Sequence, residues 1–237
     1  MSLCPSQHRG VIGDPCETFG AQPAWCAFPG WPLPPDGVFR AELVVVGQGP
    51  FDTPSGWKRQ SVEADSTEEQ RIKRATELAQ IAHVGARFHR LHIIPLMRDI
   101  FCTGGGSPPP HTGRQDELPW SRIFFTEAVF CPRRTGAPLA LETVAQCASL
   151  HLREILSQPS IKVILCLGDD AVQAVTGRYR WEPWKALHGR VQQRDAAPSL
   201  VYAVHPMAAR EGGGQPWSRQ VRGKLAEVIR GELVRDL

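Results

Sequence analysis

No apolar run in this sequence approaches the length that crosses a membrane. The early residues, with Pro5, His8, Arg9 and Asp14, lack the apolar stretch of a secretion signal. The expectation is a soluble, intracellular, cytoplasmic protein with no membrane partner. Charge of one sign is also scarce. The net charge is +3, so the whole chain is not a basic nucleic-acid clamp, although a local basic face remains open. There is no internal repeat and no C-x-x-C pair. Cysteines number seven, an odd count. In a reducing compartment that favours buried, catalytic or metal-bound thiols over disulfides.

What is there reads as a globular α/β protein. The apolar fraction of 42% is ordinary, and 237 residues can bury a core without covalent staples. That length suits one large domain or two small ones; a single domain over residues 1–237 is expected. Residues 1–37 are rich in proline, glycine and cysteine. Pro29, Pro32, Pro34 and Pro35 exclude a helix there. Cys4, Cys16 and Cys26 could tie this stretch down.

Four strands are expected, at 42–46, 122–127, 161–167 and 200–204. The run Ile161-Lys162-Val163-Ile164-Leu165-Cys166-Leu167 is almost wholly apolar, as a strand covered on both faces should be. Leu91-His92-Ile93-Ile94 reads as a further short strand. Ser66 and Glu69 form a capping box for a helix over 66–84. Leu141, Ala145, Ala148, Leu152 and Ile155 recur at a helical period, and Cys147 sits among them. Asp169 or Asp170 is expected to cap the next helix, and Pro216 to start the last one. Strands interleaved with helices give an α/β fold with a mainly parallel sheet. Three strands run into polar or glycine loops, at 48–52, 127–134 and His205. Open α/β sheets bind ligands beyond the carboxyl ends of their strands, so that edge is the candidate active site.

The same residues carry a resemblance. Gly47-Gln48-Gly49-Pro50-Phe51 after a strand, Thr126-Glu127-Ala128-Val129-Phe130-Cys131-Pro132-Arg133, Cys147, Leu167-Gly168 and His205-Pro206-Met207 follow in order. Together they resemble the uracil-DNA glycosylase superfamily, most nearly its iron–sulfur class. The Cys131–Cys147 spacing of sixteen is the family's. The resemblance spans residues 24–51 and 118–232; residues 52–117 are a divergent insertion. It implies a three-layer α/β/α fold around a four-stranded, mainly parallel sheet.

It also implies a four-iron, four-sulfur cluster held by four cysteines. Cys131 and Cys147 match two ligands; Cys26 lies where another belongs, and Cys16, or else Cys4, supplies the fourth. Four thiolates suit a zinc ion equally, and only the resemblance favours iron. Ordinary free thiols are the plain alternative. Cys166 reads as core, and Cys102 has no role.

The implied activity is that of a monofunctional DNA glycosylase, in base excision repair or in restriction of modified DNA. Such an enzyme flips a damaged or altered base out of single- or double-stranded DNA and hydrolyses its N-glycosidic bond. His205 matches the family histidine that stabilises the leaving base. Phe51 and Gly49 belong to the loop that shapes the base pocket, although a core phenylalanine explains Phe51 as well. The family's loop acid is absent: Gln48 and Gly49 occupy its two usual positions. Gln48 could orient a water, and Asp52 or Glu127 could supply the charge. Glu127 stands where the family has the asparagine that reads uracil. An amide donates and accepts, whereas an ionised carboxylate only accepts. That favours a base bearing an amino group, unless Glu127 is protonated or directed elsewhere.

Arg133, Arg134 and Arg210 are candidate phosphate contacts. A monomer acting on DNA is the expectation. The absent loop acid motivates a different reading, a glycosylase-fold protein that binds DNA or a nucleobase without cleavage. A zinc-stabilised α/β protein unrelated to DNA would show no salt-sensitive DNA binding.

Overall fold

A computed structural model describes residues 38–47, 89–102, 118–128, 144–145, 147–177, 188–194, 197–206 and 217–235. These build one mostly parallel sheet with helices. The strands are β1 (Leu43–Gly47), β2 (Ile123–Glu127), β3 (Val163–Leu167), β4 (Arg190–Arg194) and β5 (Ala197–Ala203). Their order is β2-β1-β3-β5-β4. The first four in that order run parallel, and β4 closes the edge antiparallel to β5. The helices are α1 (Ile94–Phe101), α2 (Arg153–Leu156), α3 (Asp169–Thr176) and α4 (Arg219–Leu233).

Strand pleating sorts the apolar residues onto two faces. Val44, Val46, Phe124, Ile164, Cys166, Leu200 and Tyr202 join Cys147, Leu152, Ile155 and Val172 in one cluster. Leu43, Val45, Ile123, Phe125, Val163, Leu165 and Val201 join Met97, Ile100, Leu225 and Ile229 in another. Both faces of the central strands are therefore covered, which is why their sequences read as unbroken apolar runs. Residues 89–102 lie inside the stretch expected to be an insertion, yet α1 helps cover the second face. Arg222 on α4 donates to Asp99 on α1 at 2.6 Å and ties these helices together.

Five strands, not four, form the sheet among the described residues. The added strand, β4, reads Arg-Val-Gln-Gln-Arg. It is a polar strand at one edge of the sheet, and charged edges resist pairing with other chains. Leu91-His92-Ile93-Ile94 is not a strand. His89–Ile93 forms a π-helical turn that continues into α1. Pro95 is the second residue of α1, just after that turn. Asp169 and Asp170 do not cap α3. Gly168 holds the cap position, and both aspartates lie in the first turn with no side-chain cap bond. The last helix starts at Arg219 rather than Pro216, because Ser218 Oγ accepts from the Val221 N–H and fixes its origin. The Cys147 helix passes through a π-helical turn, Ala148–Leu152, before α2. The helix expected over 66–84 lies outside the described residues.

Candidate functional site at the carboxyl edge of the sheet

Parallel pairing brings four strand exits to one edge. Gly47 ends β1 and is paired in register with Glu127, which ends β2. The Ala128 N–H donates to the Gly47 carbonyl at 2.9 Å and carries that pairing one residue further. Gly168 follows β3, and His205 stands two residues beyond β5.

Glu127 is half-buried, and its carboxylate lies across the α-carbon of Gly47. A methyl group at Gly47 would overlap the carboxylate, with Glu127 Cδ only 2.9 Å away. Gly47 is thus the floor on which Glu127 rests. Gly168 has φ 84°, which only glycine adopts without strain. A side chain there would also press on His205, whose Cβ would lie 3.3 Å away. The Gly168 N–H donates to the Ala203 carbonyl at 2.8 Å, holding the β3 and β5 exits side by side. Three strand spacings of about 4.8 Å set the backbones of Glu127 and His205 roughly 14 Å apart. The lean of Glu127 over β1 closes part of that span.

The His205 backbone is approached by a segment bound on every side. The Gly189 N–H donates to the Tyr202 carbonyl at 2.7 Å. The Val204 N–H donates to His188 Nδ1 at 3.2 Å. Trp217 Nε1 donates to the Val204 carbonyl at 2.8 Å. The His188 and Trp217 rings meet edge to face at 6.2 Å, and His92 meets Trp217 in the same way at 6.2 Å. Trp217 is buried.

No protein-family model matches this chain, and no curated protein matches it.

Of the expected site residues, Glu127 and His205 are described, and they share this edge. Gln48, Gly49, Phe51, Asp52, Arg133, Arg134 and Arg210 lie outside the described residues. So do the expected cluster ligands Cys16, Cys26 and Cys131. The fourth, Cys147, is buried among Val144, Ala148 and Leu152 and is in no disulfide. An apolar surround of this kind also suits a neutral thiol packed as ordinary core. Among the described residues no group of three or more His, Cys, Asp or Glu is placed to hold a metal ion. Cys166 is buried core, as expected. Among the described residues no helix is long and apolar enough to cross a membrane.

Sequence reasoning passed over three residues at this edge. Asp169 follows Gly168 directly. Desolvation raises its carboxyl above the ordinary 3.8, and the Asp170 charge adds to the effect. Its place after an apolar strand was the available signal, but helix capping explained it first. His188 and Trp217 lie in irregular chain and carry no periodic signal.

Burial holds His188 below the ordinary imidazole pKa of 6.5. Its Nδ1 accepts from a backbone N–H, so the ring must be neutral there. The unfolded chain therefore binds more protons than the folded one just below pH 6.5. Stability from this group is complete above that pH and is lost as pH falls. Mildly acidic solution therefore lowers the Tm relative to neutral solution. Thermal melts of the wild type and His188→Asn over that range check it, because the variant lacks this contribution.

Proposed function

We propose that the chain is a monofunctional DNA glycosylase of the uracil-DNA glycosylase type, with its base preference altered from uracil. The observation that supports it most is the shared edge. Gly47, Glu127, Gly168 and His205 leave four adjacent parallel strands at one end, lying side by side as Glu127, Gly47, Gly168 and His205. A planar base flipped onto that edge would have Glu127 on one side and His205 on the other.

Chemistry follows from the residue types. As the N-glycosidic bond breaks, the sugar gains oxocarbenium character and the base leaves as an anion. His205 donates a hydrogen bond to the leaving base and stabilises that charge. Glu127 accepts from an exocyclic amino group on the base, as on a cytosine derivative or an altered purine. Water takes the sugar carbon, oriented by Gln48 or Asp52. Arg133, Arg134 and Arg210 meet phosphates and set the position on DNA. Cys16, Cys26, Cys131 and Cys147 would hold a four-iron, four-sulfur cluster, with zinc as the alternative. That group would anchor the proline-rich first segment and take no part in the reaction.

Binding without cleavage is the competing reading, and the loop without an acid at Gln48 and Gly49 favours it. Alanine at Asp52, Glu127 and His205 separates the two. A catalyst loses turnover while keeping DNA affinity, whereas a binding protein shows no turnover to lose.

Two further outcomes are expected. Gly47→Ala meets only the movable end of Glu127, so stability should change by less than about 1 kcal/mol. The displaced carboxylate should lower base excision about tenfold or more. Melting and single-turnover assays on the same preparation check this. Cys147→Ser should remove the visible absorption and most of the iron of anaerobically purified protein. Zinc in place of iron would assign the alternative, and full metal content in the variant would exclude Cys147 as a ligand.

A further inference from the structure

We propose that His188 is a positioning residue that, with Trp217, fixes the backbone carrying His205; this rests on the glycosylase reading for its effect on rate. Both polar backbone groups of Val204 are held by side chains from outside the sheet. His188 takes the N–H and Trp217 supplies the bond to the carbonyl. The carbonyls of Tyr202 and Ala203 are bound to the N–H groups of Gly189 and Gly168. Four hydrogen bonds on three successive residues leave the chain no freedom before His205.

The chemistry of the ring makes this specific. Nδ1 accepts from Val204, so the neutral ring carries its proton on Nε2. That Nε2 is buried and has no hydrogen-bond partner among the described residues. A buried donor left unmade is destabilising. A histidine kept at such a cost is explained by what Nδ1 does. The surround is also specific. Trp217 packs between His188 and His92, and Arg190 on β4 is exposed two residues on.

Two substitutions separate the roles of the nitrogens. Asparagine places a carbonyl oxygen where Nδ1 sits; glutamine places its polar atoms where Nε2 sits. His188→Asn keeps the acceptor for Val204 and removes the unpaired donor. His188→Gln loses the acceptor. Trp217→Phe keeps the ring and removes the bond to the carbonyl.

The test uses the full-length protein, selectively labelled with nitrogen-15 for NMR, together with single-turnover excision. In the wild type His188 should be the Nε2-protonated tautomer at neutral pH, with a protected Val204 amide. His188→Gln should speed Val204 exchange about tenfold or more and slow excision about 10–100-fold at unchanged KM. His188→Asn should restore both to within about threefold. Equal protection of Val204 in all three proteins would overturn the proposal. So would equal loss of rate in the asparagine and glutamine variants. A wild type that excises no base would refute the glycosylase reading alone, and the exchange data would still decide the clamp.

Discussion

His205→Ala should slow base excision about 10²–10³-fold while oligonucleotide affinity stays within about threefold. A donor aimed at developing charge is worth about 2.7–4 kcal/mol in the transition state and little in the ground state. On the proposed glycosylase reading His205 does that work. It is half-buried beyond β5, beside a glycine that admits no side chain between them. Affinity for DNA comes mainly from phosphate contacts, which this substitution leaves alone. Single-turnover excision and binding titration on one oligonucleotide separate the two effects. Equal losses in rate and affinity would make His205 a binding residue only.

The second large effect is a change of base. Glu127→Gln should lower excision of an amino-bearing base about 10–100-fold and raise excision of uracil. The carboxylate at the β2 exit accepts only, and it is half-desolvated over Gly47. Opposite an amino group this is a charge-assisted bond, worth about 1.5–3 kcal/mol. Opposite a uracil oxygen it is repulsive. The amide removes the repulsion and supplies the donor uracil needs. Wild-type protein that binds and cleaves uracil well, and loses this in Glu127→Gln, would sink the assignment of an amino-bearing base.

Legibility in the sequence followed burial. The strands β1, β2, β3 and β5 were readable because each sends apolar residues to two faces. Strand β4 was hidden because its sequence is polar, unlike that of β2 at the other edge of the sheet. Its Gln192 side chain accepts from the Tyr202 hydroxyl at 2.6 Å, and Val191 supplies its apolar contact with the core. Helix α1 was misread because Leu91-His92-Ile93-Ile94 is too short to distinguish periods of 2 and 3.6. Pro95 and the later buried positions Met97 and Ile100 carried the helical signal.

The shared edge divides the same way. The positions of Glu127 and His205 on it were readable because one ends and the other follows an apolar strand, and strand exits share an edge in a parallel sheet. The support beneath them was not. Gly47 matters because Glu127 lies on it, and that contact joins residues 80 positions apart. His188 and Trp217 reach Val204 across 16 and 13 residues through bonds to its backbone. Backbone partners leave no trace in the side chain of the residue they hold.

The most direct measurement is alkali-induced strand scission of single- and double-stranded oligonucleotides, each bearing one uracil, hypoxanthine, xanthine, cytosine or modified cytosine. Purified wild-type protein and Glu127→Ala are tested side by side. Scission at one amino-bearing base, abolished in the variant, is the expected result. DNA binding with no scission at any base would contradict an enzyme and make Gln48, in place of the family's loop acid, the decisive residue.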